Sequence, residues 1–192
     1  INKEFEARIN GLVASFDFIN PENNVSELIE ISNELSKLPN SFFKNEKLKR
    51  CHDLILNCLG LHAELLANDF VFQEDDSSFF NLALLNRSEI PVAIILGGKT
   101  TELEQNKPFS ESILLKNNKK ISNPYWLNES FTTLFQVEDK NNLLQPESFA
   151  SFTKEITLQI VNDTVKIPLD GIYKWRIPSY GEKSREVIKT PS

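Results

Sequence analysis

Methionine is missing from the sequence altogether, even at position 1, where Ile1 stands. That predicts a processed or excised part of a longer protein. Long apolar runs are missing too: none approaches the ~18–20 residues that a membrane-crossing helix needs, so no membrane insertion is expected. The opening residues, INKEFEAR, are charged where the apolar stretch of a secretion signal would stand. Cysteine and histidine are scarce, at two each. Cys51 and Cys58 are seven apart in a segment with helical periodicity. Two helical turns hold their Cα atoms roughly 10 Å apart, too far for a disulfide, so both read as buried thiols acting as small apolar side chains. His52 and His62, ten apart, would stand about 15 Å apart along one helix and cannot share a metal there. Each reads as a surface or core histidine. No metal site, cofactor or catalytic residue is therefore assigned.

Basic charge is also in short supply. Residues 1–75 carry seven Lys/Arg against thirteen Asp/Glu, and residues 76–192 carry fourteen of each, for a net charge of −6. Neither part has the basic footprint that phosphate backbones require, which argues against nucleic acid as a partner. Phosphate-loop and nucleophile-elbow patterns fail as well. In Gly97-Gly98-Lys99-Thr100 the loop's first glycine would fall on Ala93, so the segment reads as a β-turn. The carboxylate pairs Asp75-Asp76 and Glu138-Asp139 read as solvated turn residues.

Apolar periodicity organises the first third. Phe5, Ile9, Leu12, Val13 and Phe16 recur on one face of a helix that Asn20-Pro21 ends. Val25, Leu28, Ile29, Leu35 and Leu38 continue a helical period. A third helix is expected from Asn45 to Ala67, carrying Cys51, Leu54, Ile55, Cys58, Leu59 and Leu65. From Phe70 the grammar changes to short Val/Ile/Phe/Thr runs punctuated by Asn, Asp, Gly, Pro and Ser. Candidate strands are Phe79–Asn86, Pro91–Leu96, Ser112–Lys116, Thr132–Val137, Thr153–Val161, Val165–Ile167 and Lys183–Lys189, with a hairpin at Asn162-Asp163. The expected fold is α+β: a helical hairpin or three-helix unit over residues 1–69, then an immunoglobulin-like antiparallel β-sandwich over residues 70–192.

Two aromatic clusters are the candidate contacts for a sugar ring: Tyr125 with Trp126, and Tyr173, Trp175 with Tyr180. Tyr173 and Trp175 alternate along one strand and share a face, and for that pair core packing is the first reading. Pro124 pushes Asn123 toward extended geometry, so Tyr125 and Trp126 should point to opposite sides, with Trp126 as a buried anchor.

Several segments resemble a known family in order. Ile121-Ser122-Asn123-Pro124-Tyr125-Trp126-Leu127 is similar to the S-Q/N-P-Y-W-L motif of large multidomain PIG-L family deacetylases of the Bacteroidetes type. Leu56–Glu64, Leu85-Asn86-Arg87-Ser88, and Ile172–Trp175 with Gly181-Glu182, Arg185 and Ile188–Pro191 resemble further pieces of the same region. Ile177-Pro178-Ser179-Tyr180 departs from the family's Asp-Pro. The family's catalytic H-P-D-D and H-x-x-H motifs do not occur here. What the resemblance implies is a non-catalytic accessory region that follows a zinc-dependent sugar N-deacetylase domain, in a parent that is periplasmic or extracellular. Its expected partners are that neighbouring catalytic domain and a glycan. A free-standing carbohydrate-binding or cell-surface module is the alternative.

Overall fold

A computed structural model describes residues 3–73, 77–116, 122–130, 133–134, 136–137 and 150–190. The chain divides into two compact units, each assembled from separate stretches. One comprises Ile1–Ala63, Leu84–Phe109 and Ile156–Ile167; the other comprises Glu64–Ala83, Ser110–Glu155 and Pro168–Ser192.

The first unit opens with helix α1 (Lys3–Ser15), of which only Phe5 is buried. The turn after it is held by Asn24. Its amide donates to the carbonyls of Asp17 (3.0 Å) and Pro21 (2.9 Å), and its Oδ1 accepts from the Asp17 N–H (3.1 Å). A 3₁₀ turn over Pro21–Asn24 leads into α2 (Val25–Ser36), since proline suits a first helical turn. Helix α3 (Phe42–Cys58) starts at Ser41, whose Oγ accepts the Lys44 N–H at 3.2 Å.

Helix α3 stops well short of Ala67. Gly60 takes φ +57°, and a Cβ there would stand 3.2 Å from the Arg87 Cβ. The left-handed residue ends the helix, and His62–Ala67 becomes strand β1 instead. The remaining strands are β2 (Val71–Gln73), β3 (Ser77–Leu85), β4 (Val92–Leu96), β5 (Lys99–Leu103), β6 (Pro108–Lys116), β7 (Thr153–Ile160), β8 (Asp163–Ile177), β9 (Gly181–Glu186) and β10 (Ile188–Thr190).

Within the first unit the strands pair in the order β5-β4-β7-β8. Gly97 and Gly98 join β4 to β5 with φ +54° and +82°, the positive pair that a tight hairpin turn demands. In β7, Ile156, Leu158 and Ile160 are buried while the residues between them are not, as their alternation predicts. The expected hairpin follows β7, with Val161-Asn162 as its turn; Val161 adopts φ +56°. The corner after β3 is built on buried Asn86. Its amide donates to the Ile90 carbonyl (3.1 Å), and its Oδ1 accepts from the Ser88 N–H and hydroxyl (3.1 and 2.9 Å).

In the second unit the order is β8-β1-β3-β6, with β9 also paired to β8, and β10 pairs β2. Two of these pairings are parallel. Leu65 and Leu66 of β1 face Gly171 and Ile172 of β8, and Ile188–Thr190 of β10 faces Val71–Gln73 of β2. The expectation of an antiparallel immunoglobulin-like sandwich is therefore wrong: the sheet is mixed. The physical reason is β1, a strand formed by residues with good helical periodicity. It inserts beside β8 and buries Leu65 completely, so tertiary packing overrides local propensity. Strand β8 is also far longer than the expected Val165–Ile167. Among the described residues no helix is long and apolar enough to cross a membrane.

The second unit's core joins Leu65, Ala67, Phe80, Phe152 and Val187. The rings of Phe72, Phe80 and Phe152 lie 5.0–5.9 Å apart. Gly171 crosses this cluster, and its N–H donates to the Phe152 carbonyl at 2.7 Å. Of the candidate strand Thr132–Val137, the described residues Thr133, Leu134, Gln136 and Val137 form no strand, and Thr132 and Phe135 lie outside the described residues, as do Asp75-Asp76 and Glu138-Asp139.

Two expectations follow. A Cβ at Gly171 would stand 2.7 Å from the Phe80 Cε1 and 3.2 Å from the Phe152 Cβ. Gly171→Ala should therefore destabilise the chain by about 1–3 kcal/mol. Gly11→Ala, on open space in α1, should stabilise it by about 0.5–1 kcal/mol. Denaturant melts of both variants provide the check. Separately, a fragment beginning at Asn68 lacks β1, the strand between β8 and β3, and should show no cooperative thermal transition.

Candidate functional site

The β8–β9 hairpin brings most of the sequence's candidate residues together. The two strands run antiparallel with Tyr173 opposite Arg185, Trp175 opposite Lys183, and Lys174 opposite Ser184. Strand alternation puts Tyr173, Trp175, Lys183 and Arg185 on one face and Lys174 and Glu182 on the other.

The first face is a ladder of rings and cations. The Arg185 guanidinium lies 4.1 Å over the Phe70 ring. Phe70 is 5.6 Å from Tyr173, and Tyr173 stacks on Trp175 at 5.9 Å with 20° between planes. Tyr173 packs against the phenylalanine cluster, so it closes the core, while Trp175 carries the stack one residue pair further out. Tyr180, at the hairpin tip, is 73% exposed, and the Lys183 ammonium sits 5.9 Å from its ring. Every residue of β9 is exposed. This arrangement offers flat apolar surfaces with cations beside them, which suits stacking against a ligand.

On the opposite face, the Lys174 ammonium donates to Glu64 of β1 and, at 2.9 Å, to Glu182 of β9. The hydrogen bond to Glu64, then that to Glu182, raises the Lys174 pKa above its ordinary value. This network fixes the hairpin to the sheet.

The Tyr125–Trp126 cluster is differently placed. Tyr125–Leu127 forms a single 3₁₀ turn in which the two rings meet edge-on at 5.0 Å. Trp126 is 36% exposed and is not the buried anchor that an extended backbone would have made it. The turn sets consecutive side chains next to each other, so they do not alternate. The segment is tied down through Ser122, whose N–H donates to the Lys189 carbonyl (3.1 Å) and whose hydroxyl accepts the Lys189 N–H (2.9 Å).

One pairing that the sequence did not disclose is Ser32 with His52, whose Oγ and Nε2 lie 3.0 Å apart. It has the look of a nucleophile and its base. Ser32 is 5% exposed in the middle of α2, out of reach of a substrate, and the bond serves to join α2 to α3. Burial lowers the His52 pKa, the neighbouring Asp53 opposing that shift. The Cys51 thiol donates to the Leu28 carbonyl at 3.3 Å, and burial pushes its pKa up to about 11; burial raises that of Cys58 as well. These thiols stay protonated and unreactive at neutral pH. Among the described residues no three His, Cys, Asp or Glu side chains gather as a metal site.

No family model and no curated protein matches the chain. Among solved structures, an alkylpurine DNA glycosylase of Pseudomonas fluorescens, bound to DNA containing an abasic site analog, aligns with a TM-score of 0.25 and 8% identity. The alignment covers 85% of this chain and 50% of that one, so the chain spans half the length of that protein. A likeness so slight carries neither fold nor function across.

The raised Lys174 pKa gives an alkaline signature. The fold favours the ammonium, so its contribution is fully present below the unfolded value of ~10.4 and is lost as pH rises through the folded value. Lys174→Met should lower the melting temperature by about 2–4 °C at pH 7. It should also remove the part of the decline above pH ~10.4 that belongs to this group, as measured by melts across pH 7–11.

Proposed function

We propose that the chain is a non-catalytic module of a larger protein, and that it binds carbohydrate through the face carrying Trp175 and Tyr180. The observation behind this reading is the ordered stack Phe70–Tyr173–Trp175, flanked by Lys183 and Arg185 and continued by the exposed ring of Tyr180 at the tip. A sugar ring lays its C–H face on such a surface and offers its hydroxyls to the neighbouring cations. The resemblance to PIG-L deacetylases suggests the ligand: a chain of N-acetylated sugars that the module would present to a deacetylase domain. Tyr125 and Trp126 form a second, smaller aromatic pair that could extend the contact.

A second reading, in which the module only positions its neighbour, draws support from where the resembling segments meet. Glu64 of the Leu56–Glu64 segment forms one ion network with Lys174 and Glu182 of the Ile172–Pro191 segment, while Ser122 of the Ile121–Leu127 segment makes two hydrogen bonds with Lys189 of that same ending. On this reading the shared motifs encode the framework.

Titration calorimetry with chitohexaose separates the two. Binding that weakens roughly three- to tenfold in Trp175→Ala and in Tyr180→Ala, with the melting temperature of Tyr180→Ala unchanged, is the expected result. Absence of binding to the wild-type chain, or binding indifferent to both substitutions, would remove the carbohydrate reading and leave the positioning one.

A further inference from the structure

The three-helix part of the first unit holds a feature that the aromatic face does not explain. Helix α2 packs on α3 through the Ser32–His52 and Cys51–Leu28 bonds, whereas α1 buries only Phe5. Between α1 and α3 an open trough of about 600 Å³ remains. Phe5, Ile9, Leu12, Val13 and Phe16 form one wall; Leu28, Ile31 and Leu35 of α2 lie along it; Cys51 and Leu54 of α3 line the other side. Much of this apolar surface is open to water: Val13 is 71% exposed, Leu54 49% and Ile9 37%. Exposed apolar surface that is contiguous and concave marks an interaction site.

The dimensions are those of a helix. From Phe5 to Val13 the wall follows α1 for eight residue steps, about 12 Å or just over two turns. The charge on the trough selects which helix. The charged side chains that line it are Lys47 and Arg50, one turn apart on α3. Among the described residues Arg50 has one long ion-pair contact, with Glu46 at 4.0 Å, and the Arg50 side chain is largely open to solvent. The acids of α2 are engaged elsewhere: Glu27, Glu30 and Glu34 surround Arg8. The trough is therefore apolar along its length and cationic at one rim, inside a stretch of sequence whose overall charge is negative.

We propose that this trough is the docking site for an acidic amphipathic helix of a partner protein. Apolar side chains at i, i+3/i+4 and i+7 of that helix would fill the trough, and carboxylates beside the stripe would pair with Lys47 and Arg50. A membrane surface fits less well, because a concave trough cannot be laid on a bilayer and the surrounding negative charge repels anionic lipid.

The test uses the full chain and two fluorescein-labelled peptides of about 18 residues with the same leucine stripe, one with Glu and the other with Lys at the remaining positions. Fluorescence anisotropy should show the Glu peptide binding at least ~tenfold more tightly than the Lys peptide. The double variant Lys47→Glu/Arg50→Glu should reverse that order. Val13→Asp, at an exposed position, should abolish binding of both peptides while leaving the melting temperature in place. Equal binding of the two peptides, no binding of either, an order that the double variant fails to reverse, or binding that survives Val13→Asp would each overturn the proposal. So would a dimer of the chain that the Glu peptide cannot dissociate, since the trough would then belong to a second copy.

Discussion

Where β8 passes between Phe80 and Phe152, there is room for a backbone and for nothing more. Gly171 meets that limit, and its N–H takes the Phe152 carbonyl at 2.7 Å while the Phe80 ring closes over it. Much of the second unit follows from this contact. It sets the register of β8 against β1, with Leu65 directly opposite Gly171. That register puts Tyr173 at the margin of the core and Trp175 beyond it, and turns Lys174 toward Glu64 on the far side. The face offered by the hairpin is thus a by-product of core packing several residues away. A side chain at position 171 would have to move Phe80, which is wholly buried among other rings, and a close-packed interior resists such a shift.

Local pattern made part of this fold legible. The 3.6-residue period marks α1, α2 and most of α3, and Pro21 opens the turn into α2, whereas the Ser41 cap starts α3 ahead of the expected Asn45. Period-two alternation marks β7, and Gly97-Gly98 marks a tight turn. What stayed hidden depends on distant partners. His62–Ala67 contains Leu65, four residues from Leu61, and Leu66, seven from Leu59, both at helical spacing, and only the place waiting between β8 and β3 makes it a strand. The expected strand Val165–Ile167 stops short of Pro168 and Gly171. In the structure Pro168 is exposed and Gly171 is a steric necessity, so β8 runs on to Ile177.

The candidate residues divide along the same line. Alternation correctly grouped Tyr173 with Trp175 on one side of a strand, but the cations that complete that side, Lys183 and Arg185, come from the opposing strand and from a register that sequence alone does not state. Ser32 and His52 meet only because α2 lies against α3. Trp126 misled because the effect of Pro124 reaches back to Asn123, whereas the residues after it curl into a 3₁₀ turn. In each case the side chain's neighbours are set by hydrogen bonds made elsewhere in the chain.

Among the described residues strand β9 pairs with β8 alone, and each of its residues Gly181–Glu186 is exposed. Such a strand is an open template: its outer row of N–H and C=O groups can recruit any passing extended segment into a growing sheet. Here the template is defended. Glu182, Lys183, Arg185 and Glu186 set charge of both signs along it, so that an incoming strand would have to desolvate ionised groups to pair. The cations beside the rings thereby guard against polymerisation. Stripping Lys183 and Arg185 to neutral residues would expose a flatter, greasier border beside Trp175, and the cost would be read in turbidity at high concentration.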